Sequence, residues 1–127
     1  MTKKLLAVMA IGASTLVISA PMFAHHAAAL YDRDHPITLK GNVTEYLFTN
    51  PHVQIRFDVK DENGNVVNWD AESAPPQRLY RAGWNTKTLK PGDEITVTGA
   101  PFKDGRKQLS VQKLTTPSGK ELRDGAE

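Results

Sequence analysis

Four histidines, His25, His26, His35 and His52, are the residues best suited to chemistry in this chain of 127 residues. Two of them are adjacent. If the mature chain starts at His25, its free amine and its own ring Nδ1 can close a six-membered chelate on one metal ion. A terminal amine has an ordinary pKa of about 7.7–8.0, so a metal ion can displace its proton at neutral pH. His26 adds a second imidazole, and His52 offers a third from further along the chain. Such an all-nitrogen donor set suits Cu(II), and Zn(II) or Ni(II) less specifically. The chain has no cysteine, and Met1, Met9 and Met22 all precede His25. A soft-ligand Cu(I) site or a blue-copper centre is therefore not expected. The alternative is that His25 and His26 are solvated residues of a flexible arm.

What would make His25 a terminus is the segment before it. Lys3 and Lys4 precede an apolar run at 5–19, and small residues with a proline lead to Ala24. That is the layout of a secretory signal cleaved after Ala24. The run of 15 residues is shorter than the ~20 a spanning helix needs, so no stable membrane span is expected after cleavage. Two alternatives stay open: an uncleaved anchor, and cleavage within 27–29, which would discard both terminal histidines. The expected organisation is a signal at 1–24, an arm at 25–36, a β-barrel at 37–117 and a polar tail at 118–127. Within the tail, Leu122 is the residue able to tie the chain down.

The expected location is periplasmic or secreted. Without cysteine there is neither a disulfide nor a lipid-modified N-terminus. Removing Lys3 and Lys4 leaves 14 Lys and Arg (16 minus 2) against 14 Asp and Glu, a formal charge of 0. A neutral domain lacks the electrostatic footprint of a nucleic-acid binder. A protein partner in the cell envelope is compatible with it.

The elements that must position these histidines read as strands, because apolar residues recur with period two. Ile37, Leu39, Gly41 and Val43 share one parity, and Tyr46 and Phe48 take the other. Residues 37–49 therefore form one strand with a bulge, bent at Gly41. Val53, Ile55, Phe57 and Val59 mark a second strand at 52–60, and Val67, Trp69 and Ala71 a third at 66–72. A three-residue loop, Glu62-Asn63-Gly64, pairs Val59 with Val67, Phe57 with Trp69 and Ile55 with Ala71, keeping apolar residues on one face. Arg56 then stands opposite Asp70.

A short helix at about 75–82 follows, with prolines in its first turn and Gly83 after its last. Leu79 and Trp84 are placed to plug one barrel end. The same loop logic at Lys103-Asp104-Gly105 pairs Val97 with Val111 and Gly99 with Leu109 in a final hairpin. The order β-β-β-α-β-β points to an all-β, five-stranded, OB-like Greek-key barrel. A small open sandwich is the alternative.

His52 shares parity with Gln54 and Arg56 and should face away from the core, with Asn50-Pro51 stiffening the corner before it. Arg56, Asp70 and Glu72 should share that outer face, where they can bind a ligand with His52 or simply stay solvated. Asp32 and Asp34, beside Tyr31, can accept hydrogen bonds from histidine ring N–H groups. No Gly-x-Ser-x-Gly, phosphate loop, His-Glu-x-x-His or nucleophile–base pair is present. An enzyme is not expected.

The segments His25-His26, Tyr31-Asp32, Leu39-Lys40-Gly41-Asn42-Val43, Thr49-Asn50-Pro51-His52, Asn68-Trp69 and Leu89-Lys90-Pro91-Gly92-Asp93 resemble a family of small exported bacterial proteins of unknown function. The resemblance spans nearly the whole mature chain, and it implies an exported β-domain without specifying an activity. Its members commonly carry a serine and a phenylalanine after the histidine pair, where Ala27 and Ala28 stand here. The terminal histidine alone resembles the histidine brace of copper proteins. The fold resembles small periplasmic OB-type metal chaperones, whose methionine ligands this chain lacks. Two functional expectations result. One is a Cu(II)-handling module using His25, His26 and His52. The other is a metal-free barrel that binds a protein or small ligand around His52, Arg56, Asp70 and Glu72.

Overall fold

The computed structural model describes residues 27–125. The expected signal at 1–24, His25 and His26 lie outside the described residues. The elements are β1 (Ile37–Leu47), β2 (Gln54–Lys60), β3 (Val66–Glu72), α1 (Pro76–Arg81), β4 (Glu94–Pro101), β5 (Gln108–Thr115) and β6 (Glu121–Arg123).

The period-two pattern sorts the side chains as expected. Val53, Ile55, Phe57 and Ala71 are fully buried, and they join Ile95, Val97, Leu109, Val111 and Leu114 in one core. The strand order is β3-β2-β1-β4-β5-β6, and β3 also pairs in parallel with β5 through Asp70–Gln108, Ala71–Leu109 and Glu72–Ser110. That contact closes β1–β5 into a five-stranded barrel of the OB type, which leaves few strand edges unpaired.

Closure requires β1 to serve two neighbours. Its first half pairs with β4 and its second half with β2, and a bulge at Thr44 makes the transition. Gly41 leaves no room for a side chain: a Cβ there would collide with the backbone carbonyl of Asp58. One end of the barrel is filled by Leu79 of α1 and by Trp84, both fully buried. The Trp84 indole Nε1 donates to the carbonyl of Arg123 at 2.8 Å. Leu122 is buried as well. Together these contacts tie the polar tail to the barrel as β6.

The β2–β3 hairpin has the expected register, with Val59–Val67, Phe57–Trp69 and Ile55–Ala71 paired. Trp69 is half-buried rather than fully enclosed, and Lys107 lies over its ring at 5.4 Å. The loop turns because Asp61 accepts the backbone N–H groups of Asn63 and Asn65, and Gly64 takes φ +79°. Gly64→Ala is expected to cost ~1 kcal/mol through left-handed strain alone, since nothing crowds that site. Gly41→Ala, where the obstacle is backbone, is expected to cost ~1–3 kcal/mol or more. Urea melts of the two variants check the ranking.

The last hairpin departs from expectation. Gly99 pairs with Val111, Pro101 with Leu109 and Val97 with Leu114, with a register shift between Thr98 and Gly99. Gly105 has the expected positive φ, +85°, but the loop spans more than the expected three residues, because regular pairing resumes only at Gln108. The cause is competition for backbone groups. The Lys107 carbonyl accepts from Asp70 N on β3, and the Lys103 N–H donates to Leu30, so neither group is free to extend the β4–β5 ladder.

Candidate functional site

The outer face of β1, β2, β3 and β5 carries a row of polar side chains set by the ladder: Glu45 opposite Arg56, Arg56 opposite Asp70, and Asp70 beside Gln108. One step along, Gln54 pairs with Glu72. Val53 N–H donates to Ala74 and Ser73 N–H to Val53, so the chain entering β2 is pinned beside the end of β3. That pinning brings His52 to Glu72, with Nδ1 2.8 Å from Oε1. Both side chains are partly solvated, so the pair adds only ~0–1 kcal/mol of stability. Its larger effect is orientation. A ring that donates from Nδ1 to a carboxylate keeps Nε2 as its available lone pair. The Asn50-Pro51 peptide before His52 is cis.

Arg56 stands opposite Asp70 as expected, but its guanidinium bonds to Glu45. The bulge at Thr44 reverses the parity of β1 and turns Glu45 onto the outer face. Asp70 is left half-buried, and its Oδ1 is enclosed with no hydrogen-bond partner among the described residues. Burial pushes its carboxyl pKa up, and nearby Glu45 adds to the rise, against the opposing pull of Arg56. Asp70 is thus not a simple solvated surface acid. A carboxylate whose folded pKa is raised costs stability above that pKa, and the cost fades as pH falls through it. Asp70→Asn is therefore expected to raise stability at pH 7, with the gain shrinking in acid. Thermal melts at pH 7 and pH 4 check this; a gain that grows in acid would contradict it.

The arm joins this face. Asp32 N–H donates to the Pro101 carbonyl at 2.8 Å, and Lys103 N–H to Leu30 at 2.9 Å. Tyr31 forms a bridge with Phe102, their rings edge-to-face at 5.1 Å. The Tyr31 hydroxyl accepts from Gln108 Nε2 at 3.0 Å. Burial raises the Tyr31 pKa, and the negative charge of Glu72 raises it further. Tyr31 thus meets the barrel at Gln108, the ladder partner of Asp70, two residues along β3 from Glu72.

His35 lies elsewhere on the arm, exposed, with Nδ1 3.1 Å from the Asp32 carboxylate. That hydrogen bond lowers the Asp32 pKa. The expected carboxylate-to-imidazole contact therefore exists, made by Asp32. Among the described residues no group of three or more His, Cys, Asp or Glu side chains converges to hold a metal ion. His52, Arg56, Asp70 and Glu72 do occupy one face, joined by Glu45, Tyr31 and Gln108, whose participation depends on the bulge and on the docked arm.

These features define a small OB-like barrel with a polar outer face and an N-terminal arm packed across its edge. Residues 14–110 match a family of unknown function, DUF6152, and the chain belongs to that family. No curated protein matches it. Similar solved structures include a complex of TiaS with a tRNA and ATP, at 17% identity over 68% of this chain and 19% of that one, TM-score 0.44. A ZRD-deleted mutant of TiaS in complex with agmatine is 22% identical over 76% of this chain and 24% of that one, TM-score 0.44. Yeast Stn1 and Ten1 give 12% identity over 64% and 42%, TM-score 0.43. The chain spans less than half the length of each.

Proposed function

We propose that the chain is an exported binding module, not an enzyme, that holds one Cu(II) ion where its N-terminal arm meets the barrel. The donors are the His25 amine and ring, His26, and Nε2 of His52. One observation carries this reading: His52 is held through Nδ1 by Glu72, and Glu72 lies two residues along β3 from Asp70, whose ladder partner Gln108 bonds to Tyr31, where the arm docks. A carboxylate on the far ring nitrogen is the usual support for a metal-ligating histidine. His25 stands six positions before Tyr31, and the turn at 27–30, closed by Leu30 N–H on the Ala27 carbonyl, keeps that stretch compact, a reach on the order of 10 Å. The basic start, apolar run and Ala24 support export with cleavage at His25. A location in the periplasm or beyond, and a role in copper handling or delivery, go with that reading.

Intact mass of the secreted protein tests the premise, because the chelate needs residue one to be His25. A mature chain beginning after His26 would remove it. With the premise met, His52→Ala should weaken Cu(II) binding in calorimetric titrations. Affinity should also fall steeply below about pH 6.5, as imidazoles and amine take up protons.

A second reading is favoured by Asp70, whose enclosed Oδ1 lacks a donor. Glu45, Asp58, Asp70 and Glu72 stand against Lys40, Arg56 and Lys60 on the outer face of β1, β2 and β3, and Lys40 is already paired with Glu94 of β4. Such a face suits a cationic partner, such as a basic segment of an envelope protein, and repels a nucleic-acid backbone. In that case His52, Arg56, Asp70 and Glu72 bind without metal, and Cu(II) affinity does not depend on His52.

A further inference from the structure

β5 begins at Gln108 beside Tyr31 and ends at Thr115, ~23 Å away at strand spacing. Beyond that far end lies a cleft of about 740 Å³ between the 83–93 connection and the β5–β6 turn. Its volume falls within the range of small-molecule sites. Lys87 and Lys120 line it from opposite walls, and neither has a carboxylate partner among the described residues. The one acid in the lining, Asp93, is already committed: it accepts Lys90 Nζ at 2.6 Å and Lys90 N–H at 3.0 Å. The cleft therefore presents two uncompensated positive charges.

Both walls are built before any ligand arrives. On one, Asn85 Oδ1 accepts Lys87 N–H at 2.7 Å, and Thr88 Oγ1 accepts Asn85 N–H at 2.7 Å. On the other, the Thr116 and Ser118 hydroxyls bond to each other at 3.0 Å, and Thr116 N–H donates to the Lys120 carbonyl at 2.9 Å. Buried Leu122 forms part of the lining. Turns fixed in this way hold the lysine backbones at a set separation, which lowers the ordering cost of binding.

We propose that this cleft binds a phosphorylated sugar, with Lys87 and Lys120 on the phosphate and the Thr116–Ser118 hydroxyl pair on the sugar. Two ammonium groups provide charge-assisted hydrogen bonds to phosphate oxygens. A bare phosphate would fill only a small part of 740 Å³, while hydroxyl-lined walls complement a polyol. The lining contains no aromatic side chain, so stacking of a nucleobase has no platform there.

The test is a titration of the mature protein, residues 25–127, with a hexose phosphate, followed by backbone amide shifts and calorimetry. Inorganic phosphate and the unphosphorylated hexose are run in parallel. Shifts should map to 85–88 and 116–120, and the hexose phosphate should bind most tightly. Lys87→Gln and Lys120→Gln should each weaken it about tenfold, the scale of one charge-assisted hydrogen bond. Lys103→Gln, at the other end of the barrel, should leave affinity unchanged. These exposed substitutions leave the core intact, which an unchanged amide spectrum outside the cleft confirms. No shifts in the cleft, equal affinity for inorganic phosphate, or an unaltered double Lys→Gln variant would each overturn the proposal.

Discussion

Replacing Phe57 with alanine is expected to remove ~3–5 kcal/mol of folding stability, the cost of truncating a large, fully enclosed core side chain. Phe57 is fully buried at the centre of β2, paired with Val43 on one side and Trp69 on the other. Its ring also lies against Gly41, where no side chain fits. Neighbours held by two ladders cannot collapse far into the space left behind, so the cavity term should persist. A domain of this size has ~5–15 kcal/mol in total, and each kcal/mol lost shifts the midpoint by about 4–8 °C. The melting temperature should therefore fall by roughly 12–40 °C. Val66→Ala, at a residue 58% exposed at the edge of the same hairpin, should cost ~0.5 kcal/mol or less. Denaturant melts compare the two, and similar losses at both positions would contradict the assigned barrel interior.

The parts of the fold legible in the sequence are those set by local pattern. Alternation from Val53 to Val59 and the Glu62-Asn63-Gly64 loop determine one hairpin register, and the structure has that register. Leu79, within a helix bounded by prolines and Gly83, and Trp84, just after it, fill the barrel end. What is illegible depends on distant partners. The β4–β5 loop opens because β3 and the arm take its backbone groups, and no residue within 103–107 signals those contacts. The parity switch between Val43 and Tyr46 does place Glu45 on the outer face, but pattern alone does not decide that Arg56 bonds to Glu45 rather than to Asp70 opposite it. His52 is readable as outward-facing, but its bond to Glu72 joins residues 20 positions apart in sequence through the β2–β3 ladder. The Asp32–His35 contact spans three residues, and proximity in sequence makes a bond of that kind foreseeable.

The second large effect is expected at the chain terminus. A five-atom framework, from amine nitrogen through the His25 side chain to Nδ1, closes a six-membered ring only with the metal and only when the amine is free. Acetylating the His25 amine takes its lone pair out of coordination without adding a residue or creating a new free amine upstream of the histidines. The acetyl group lies ahead of the arm and outside the barrel sequence, so folding should be unaffected. Loss of one arm of a chelate should lower Cu(II) affinity by about a hundredfold, the upper end of the ~10–100-fold that an outer-shell partner of a metal site is worth.

The direct measurement is a Cu(II) titration of the mature and N-acetylated proteins, read by calorimetry and by electron paramagnetic resonance. The mature protein should bind one Cu(II) far more tightly than an unstructured His-His peptide and show nitrogen hyperfine structure that the acetylated protein loses. Equal affinity and an unchanged hyperfine pattern in the acetylated protein would contradict the terminal copper site.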